Sequence, residues 1–313
     1  MNIDASIGTL YETLREKLDL EWVGGNTGTT RSIKDHRSEA VRTALVGHLN
    51  LIHPNRVQVL GKTEIHYLDR LNENSRREFI EQLFDGTSDL IIVGEGNPAP
   101  DDIRQRCQAS NTPLFTSGES TTQLVNYLQY YLTNLFAEKI TLHGVFMEVF
   151  SVGLLITGDP SVGKSELALE LLARGHRLIA DDAPVFAKTS PDVLSGRCPE
   201  VLRDYLEVRG LGVLNIRAMF GDSAIKQNRN LRLILKLSPM TEEQIHSINR
   251  LYGARATRSI LGVDLPEITI PVAPGRNLAV LAEAAARNHT LLLKGFDPAK
   301  LFMDRQARFM ENN

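Results

Sequence analysis

The amino-acid sequence predicts an α/β fold, with a small N-terminal α/β domain followed by a larger domain built on a phosphate-binding loop (P-loop). Three observations support this prediction. The chain has 313 residues, enough for two domains that each bury a core. Strand-like and helix-like stretches alternate along it. A glycine-rich loop at 158–165 lies between a predicted strand and a predicted helix.

The composition is that of an ordinary soluble protein, with 42% apolar and 23% charged residues. The 35 Lys and Arg residues nearly balance the 38 Asp and Glu residues, so the net charge of −3 favours neither nucleic acid nor an anionic membrane as a partner. Apolar runs such as Leu154–Ile156 are far shorter than the ~20 residues of a membrane span. The N-terminus also lacks a signal-peptide pattern, so we expect a cytoplasmic protein. Its two cysteines, Cys107 and Cys198, are far apart and in no paired motif, which predicts reduced thiols.

The first 132 residues are expected to form the N-terminal α/β domain. Periodicity and flanking turn residues predict three strands and three helices, in the chain order helix 7–18, strand 56–60, helix 74–84, strand 89–94, a helix opened by Asp101 and Asp102, and strand 113–116. No catalytic motif is found in this part, and we expect a role in regulation or assembly. A further helix at 123–136 is interpreted as the connector to a catalytic domain over 133–313.

The second domain contains the clearest motif of the chain. A strand over Val152–Thr157 precedes the loop, and a helix with an apolar stripe follows it over Ser165–Arg174, with Gly175 placed to end that helix. The loop has the pattern G-x-x-x-x-G-K-S and consists of Gly158, Asp159, Pro160, Ser161, Val162, Gly163, Lys164 and Ser165.

This pattern is typical of a loop that binds a nucleoside triphosphate, and we expect that ligand to be ATP. Gly158 and Gly163 allow backbone angles at which successive N–H groups turn inward around a phosphate, and the helix N-terminus adds partial positive charge. Lys164 supplies a full charge for the outer phosphates, and the Ser165 hydroxyl is a ligand for Mg²⁺. The sequence therefore predicts ATP and Mg²⁺ as cofactors.

Two carboxylates follow the loop helix, at the end of a predicted strand over 176–182. Adjacent strand residues face opposite sides, so only one of Asp181 and Asp182 is expected to face the nucleotide. That carboxylate could hold Mg²⁺ or orient an incoming hydroxyl, and the alternative is that both are solvated surface acids. Their strand is expected to be the sequential neighbour of the loop strand.

At three further places in the chain, the residues alone do not decide whether a polar side chain belongs to the active site. His143 precedes the loop by one predicted hairpin, Glu207 and Arg209 lie beside two glycines, and Arg276 lies in a turn before a helix over Leu278–Arg287. Each could serve the site, or be an ordinary structural or solvated residue.

The run from Ile140 to Gly221 resembles the bacterial HPr kinase/phosphorylase family. The similarity is carried by His143–Val145, the loop and Glu166–Leu171 after it, Arg174–Asp182, Leu206–Gly212 and, further on, Pro271–Leu278. Weaker similarity in the N-terminal half, at Val59–Glu64 and Ser120–Thr122, extends the resemblance over nearly the whole chain.

The resemblance implies a phosphoenolpyruvate-carboxykinase-like P-loop domain with two activities. The first is ATP-dependent phosphorylation of a serine of HPr, the phosphocarrier of the sugar phosphotransferase system. The second is transfer of that phosphate to inorganic phosphate, which gives pyrophosphate. The resemblance also implies a homohexamer and pyrophosphate as an alternative phosphoryl donor.

The site residues are carried over from the same resemblance. Lys164 would bind the transferred phosphate, and Asp182 would take the serine proton in one direction and return it in the other. Ser165 and Glu207 would serve Mg²⁺, and His143 and Arg250 would complete the catalytic set. Residues 206–215 would serve both directions and 271–276 dephosphorylation.

Two other functions remain in competition. A small-molecule kinase or other nucleotide hydrolase would share the loop but turn over ATP without a protein acceptor. A non-catalytic nucleotide-sensing module would bind ATP without transfer. The pair Asp181 and Asp182 argues against the nucleotide-sensing module, because a sensor does not need an acid beside the phosphate that would react.

Overall fold

The computed structural model describes residues 5–25, 31–33, 45–50, 55–84, 88–247, 249, 251 and 253–311. The chain divides into two compact units, Met1–Phe136 and Ala137–Asn313. Among the described residues, no helix has both the length and the apolar character required to cross a membrane. Cys107 and Cys198 are free cysteines, as predicted, and both are buried. Burial raises the pKa of their thiols to about 12 and about 11 respectively.

The described elements of the first unit alternate along the chain. They are β1 (Ala5–Ser6), α1 (Ile7–Leu14), β2 (Leu20–Gly24), β3 (Ser32–Ile33), β4 (Val46–His48), β5 (Val57–Leu60), α2 (Lys62–Asp69), α3 (Glu73–Leu83), β6 (Leu90–Val93), α4 (Asp101–Ser110), β7 (Leu114–Ser117) and α5 (Thr121–Phe136). The predicted strands and helices are all found, with ends shifted by a few residues. The largest shift is in the predicted helix 7–18, which ends at Leu14, four residues before the predicted end.

Helices cover both faces of a sheet in this unit. The described sheet strands have the order β2-β7-β6-β5-β4 and are parallel except for the edge strand β2. Strands β5 and β6 are buried along their whole length, which explains why β6 is apolar throughout and why the one polar side chain of β5, Gln58, is buried. Helix α5 packs Leu124, Leu128 and Leu132 into the same core as α1, so the segment predicted as a connector is part of the first unit.

The second unit contains the phosphate loop. Its described elements are β8 (Lys139–Thr141), β9 (Val145–Val149), β10 (Val152–Gly158), α6 (Lys164–Ala173), β11 (Arg177–Ala180), β12 (Val185–Ser190), β13 (Val193–Arg197), β14 (Tyr205–Val208), β15 (Gly212–Asn215), α7 (Ile216–Phe220), β16 (Asn228–Pro239), α8 (Glu242–Ser247), β17 (Arg255–Ile260), β18 (Val263–Val272), α9 (Leu278–Leu293) and α10 (Pro298–Glu311).

The main sheet of this unit has the loop strand β10 near its centre. The described strands follow the order β11-β9-β10-β16-β13-β12-β8, with β18 pairing with β16 and β17. Strands β10, β16 and β18 run parallel, so their carboxyl ends lie at one edge of the sheet, the edge at which α/β proteins bind ligands. Helices α6 and α9 pack against one face, and the predicted stripe of α6, from Leu167 to Leu172, is buried in that core.

The strand before Asp181 and Asp182 does not lie beside the loop strand. Strand β11 follows β10 along the chain, but β9 lies between them in the sheet and pairs antiparallel with both. The physical reason is local. Phe150 and Ser151, both at positive φ, form a tight turn that folds β9 back onto β10 and occupies that edge. The expectation that β11 would be the neighbour of β10 is therefore wrong.

Candidate active site

The phosphate loop joins the end of β10 to the start of α6. Gly158 and Gly163 have φ values of 143° and 101°, and a Cβ atom on Gly158 would lie 2.5 Å from the carbonyl oxygen of Leu237. Glycine is therefore required where the loop leaves the sheet. The Nζ atom of Lys164 donates to the carbonyl oxygens of Gly158 and Asp159, each at 3.0 Å. These bonds hold the ammonium group at the beginning of the loop, beside the bound phosphates that the motif predicts.

Most of the predicted site residues line one cavity of about 260 Å³, which we call the reaction cavity. Its lining consists of His143, Gly144, Pro160, Ser161, Gly163, Lys164, Ser165, Glu166, Asp181, Asp182, Glu207 and Arg209. His143, Lys164, Ser165, Asp182 and Glu207 are thus brought together although they come from four separate parts of the chain. Arg250, the remaining predicted catalytic residue, lies outside the described residues.

His143 and Asp182 form a hydrogen-bonded pair within this cavity. The Nδ1 atom of His143 lies 2.8 Å from Oδ1 of Asp182, and the two side chains are 61% and 69% exposed. Two backbone features hold the pair in position. Gly144 donates its N–H to the carbonyl oxygen of Asp182 at 3.1 Å, and a Cβ atom on Gly144 would lie 2.4 Å from the carbonyl oxygen of Ile156. The close approach that glycine permits brings His143 beside the loop strand.

The two adjacent carboxylates do not face opposite ways. Strand β11 ends at Ala180, and Asp182 has a φ of 62°, so Asp181 and Asp182 lie in a turn, outside the alternation of the strand. Both line the reaction cavity, and the prediction that only one would face it is wrong.

The environments of the two carboxylates nevertheless differ. Oδ2 of Asp181 accepts the backbone N–H of Glu207 at 2.8 Å. Burial raises the pKa of Asp181, and this N–H partly opposes that shift by favouring the ionised form. Asp181 therefore ties two elements of the site together. Asp182 is the exposed carboxylate of the pair, in contact with a histidine that can orient it.

Glu207 and Arg209 reach the loop from a two-stranded hairpin formed by β14 and β15. Leu206 and Val208 of β14 are buried, so Glu207 between them is presented to the cavity side. Arg209 follows the strand and donates to Oγ of Ser161 in the loop. The acid and base that the sequence left undecided therefore both belong to the reaction cavity.

The oxygen atoms in this cavity fit a magnesium ion. Mg²⁺ prefers hydroxyl, carboxylate and phosphate oxygens, and it commonly takes only one or two carboxylates from the protein. The Ser165 hydroxyl and the Glu207 carboxylate meet that requirement beside the loop. Among the described residues, no group of three His, Cys, Asp or Glu side chains could hold a metal by itself. An ion at this site would thus depend on phosphates and water for its remaining ligands.

Two further cavities adjoin the loop. The first, which we call the flank cavity, measures about 580 Å³ and contains Arg276. The second, which we call the charged cavity, measures about 480 Å³ and is lined by His143, Thr157, Gly158, Asp159, Lys236, Arg258 and Glu267. Arg276 therefore lies beside the loop but outside the lining of the reaction cavity.

Lys236 and Arg258 are cations near the loop that sequence reasoning missed. Lys236 is paired in register with Thr157 of the loop strand and ends the apolar run of β16. A lysine at the carboxyl end of such a run is a usable signal once the parallel pairing with β10 is known. Arg258 belongs to the antiparallel strand β17, and its position carries no comparable signal in the sequence.

The strand–loop–helix cradle, its lysine and hydroxyl, and the adjacent acid–histidine pair define a P-loop phosphotransferase. The chain belongs to the HPr serine kinase family. The family model described as the HPr Serine kinase C-terminal domain matches residues 134–306, and the one described as the HPr Serine kinase N terminus matches residues 5–132.

Individual relatives agree over the full length of the chain. Proteins named HPr kinase/phosphorylase from Stenotrophomonas maltophilia (strain R551-3), Xanthomonas axonopodis pv. citri (strain 306) and Xylella fastidiosa (strain M12) are each 49% identical over 312 residues, which covers 99% of both chains. A solved structure of the Hpr(Ser) kinase/phosphatase from Coxiella burnetii is 33% identical, with a TM-score of 0.46, and covers 50% of this chain and 99% of that one.

Proposed function

We propose that the protein is an ATP-dependent kinase of a serine on HPr and a phosphorylase that transfers the phosphoserine phosphate to inorganic phosphate, giving pyrophosphate. This proposal rests mainly on one observation, that the phosphate loop and the hydrogen-bonded His143–Asp182 pair line the same cavity. The names of relatives that are 49% identical over 99% of the chain support the choice of HPr as substrate.

The loop and Lys164 would bind the phosphate that is transferred. Phosphoryl transfer is promoted mainly by positioning and by neutralising charge on the phosphate oxygens. Backbone N–H groups and the Lys164 ammonium, held 3.0 Å from two loop carbonyl groups, can supply both. Mg²⁺ held by Ser165 and Glu207 would add further charge neutralisation when bound.

Asp182 would act as the acid–base residue in both directions. In the kinase direction the serine oxygen forms a bond to the γ-phosphorus of ATP as the bond from that phosphorus to the ADP oxygen breaks, and the serine proton moves to the Asp182 carboxylate. In the phosphorylase direction an oxygen of inorganic phosphate forms a bond to the phosphoserine phosphorus, the bond from phosphorus to the serine oxygen breaks, and Asp182 returns the proton to the serine oxygen, giving pyrophosphate. The Nδ1–H of His143 would hold the carboxylate in position by the bond of 2.8 Å. The catalytic role of Arg250 is proposed from the family resemblance alone.

Features beside the reaction cavity favour a protein acceptor over a small molecule. The β14–β15 hairpin, which carries Glu207, exposes Tyr205, Leu211 and Val213 at 45%, 65% and 66%. Apolar side chains this exposed beside a reaction site suit contact with another protein. A non-catalytic sensor would leave the exposed His143–Asp182 pair without a purpose.

We also propose a cytoplasmic homohexamer, with residues 1–132 in regulation or assembly and 133–313 in catalysis. Helix α10 supports assembly, because it exposes Leu301 and Phe302 at 40% and 53% and has no fully buried residue among those described. Such an amphipathic helix is suited to packing against another chain. Light scattering of the purified protein checks this, and a monomeric mass would contradict it.

The proposed activity is tested by incubating the protein with ATP, Mg²⁺ and purified HPr and measuring the intact mass of HPr. We expect one added phosphoryl group, located on a serine by fragmentation. HPr in which that serine is replaced by alanine is the matched control and should keep its mass. Consumption of ATP with unmodified HPr would contradict the proposal and favour the small-molecule kinase or hydrolase.

A further inference from the structure

Ser161 lies in the phosphate loop with a backbone conformation that most side chains avoid. Its φ is 66°, in the left-handed region where glycine is favoured over residues that carry a Cβ atom. A positive φ alone does not mark a functional residue, because Ser151, in the turn before β10, has a φ of 65°. What distinguishes Ser161 is its hydroxyl oxygen, which accepts a hydrogen bond from Nη1 of Arg209.

This bond joins two separate parts of the reaction cavity. Ser161 and Arg209 are 48 residues apart in the chain, and both line that cavity. In the part of the chain that the structure describes, the Ser151 hydroxyl has no comparable partner. The two serines therefore share a backbone conformation and differ in what their side chains contact.

The tip of the β14–β15 hairpin, residues 209–212, depends on this bond for its position. The body of the hairpin is fixed, because Leu206 and Val208 are buried in the core. Beyond Val208 the tip is exposed. Among the described residues, the bond from Arg209 to Ser161 is the hydrogen bond that connects the tip to the phosphate loop. Without the Ser161 hydroxyl, the guanidinium group would lose its anchor beside the loop.

The guanidinium held in this way is a cation that phosphate oxygens can use. Arg209 has no carboxylate partner among the residues that the structure describes. It lines the reaction cavity together with Lys164 and Ser165. A guanidinium has five N–H donors in a planar fork that matches phosphate oxygens, so one donor fixed on a serine leaves others for the phosphates.

We propose that Ser161 is a positioning residue whose hydroxyl holds Arg209 beside the phosphates of bound ATP. This inference rests on the proposed use of ATP and assigns a task to a side chain that the loop motif leaves unspecified, since the motif accepts any residue at this position. Because Arg209 carries the charge, the Ser161 hydroxyl should matter only while Arg209 is present.

The test removes the hydroxyl in two ways that affect the backbone differently. Ser161→Ala and Ser161→Gly both lack the acceptor, but glycine favours a φ of 66° and alanine does not. Binding of ATP to the full-length protein with Mg²⁺ is measured by calorimetry, and the melting temperature by thermal unfolding. We expect both variants to weaken ATP binding about 3- to 10-fold, the loss typical of one hydrogen bond. The glycine variant should nevertheless melt at a higher temperature than the alanine variant.

Ser151→Ala and Ser151→Gly are the matched controls. They make the same changes at a φ of 65°, at the opposite end of β10 from the phosphate loop. The glycine variant should again melt at the higher temperature, and ATP binding should stay unchanged in both. Weaker ATP binding in these controls would overturn the inference, because the effect would then follow the backbone and not the hydroxyl.

The decisive comparison adds Ser161→Ala to Arg209→Ala, where it should cause no further loss of ATP affinity. A further loss as large as in the wild type would overturn the inference, because Ser161 would then act without Arg209. Unchanged ATP binding in Ser161→Ala, or a loss there that Ser161→Gly does not share, would also overturn it. Failure to phosphorylate HPr would contradict the proposed function without affecting these comparisons of affinity.

Discussion

Replacing Asp182 by asparagine removes the proposed proton acceptor while it preserves the shape of the side chain. An asparagine oxygen can still accept the hydrogen bond that Nδ1 of His143 makes at 2.8 Å. The backbone of residue 182, at φ 62°, also suits asparagine, which tolerates the left-handed region better than most residues. The substitution therefore tests proton transfer with little change in geometry.

The expected effect on stability is small and the expected effect on rate is large. His143 and Asp182 are 61% and 69% exposed, and exposed pairs of this kind contribute at most about 1 kcal/mol to folding. Loss of a general base commonly lowers the rate about 10²- to 10⁴-fold. That loss corresponds to about 2.7–5.5 kcal/mol of activation free energy, which exceeds any expected change in stability.

The assay measures three quantities for the wild type and Asp182→Asn. These are the rate of phosphoserine formation, the rate of phosphate-dependent dephosphorylation, and the affinity for ATP. We expect both rates to fall by similar factors at unchanged affinity. Loss in only one direction would refute the shared acid–base role. Asp181→Asn is the matched control, and a larger loss there would mean that the proposed role belongs to Asp181.

Three further predictions concern the same cavity. Lys164→Ala should weaken ATP binding about 10- to 100-fold, since hydrogen bonds to charged groups contribute roughly 1.5–3 kcal/mol; wild-type affinity by calorimetry would contradict its phosphate-binding role. Ser165→Ala should raise the Mg²⁺ concentration required for half-maximal activity because one oxygen ligand is lost, and an unchanged titration would count against that site. Asp181→Asn should raise the melting temperature near neutral pH, because burial raises the pKa of Asp181 and so penalises its ionised form in the folded state. This gain should vanish as the pH falls below the ordinary aspartate pKa of ~3.9, and a gain that persists in acid would contradict the electrostatic cause.

The elements that sequence reasoning predicted well are those set by local pattern. The loop needs glycine at two positions of unusual φ, and α6 shows its buried stripe at helical spacing, so both are visible in the residues themselves. The hairpin of β9 and β10 was harder to predict, because its turn, Phe150 and Ser151, contains neither glycine nor asparagine. This hairpin places β9 between β10 and β11.

What the sequence could not predict is set by contacts between distant residues. Asp181 and Asp182 look like the end of a strand, but they lie in a turn that the N–H of Glu207 and the N–H of Gly144 hold against the rest of the site. Lys236 reaches the loop through the parallel pairing of β16 with β10, which no local pattern encodes. The resemblance to a known family supplied His143 and Glu207 where periodicity alone left them undecided.

The fate of a labelled phosphate tests the central claim most directly. HPr carrying ³²P on its phosphoserine is incubated with the protein, Mg²⁺ and unlabelled inorganic phosphate, and the products are separated. A phosphoryl group transferred between bound anions in the reaction cavity must appear in pyrophosphate, and Asp182→Asn should suppress its appearance. Release of the label as inorganic phosphate would mean that water is the acceptor, and the proposed phosphorylase would be wrong.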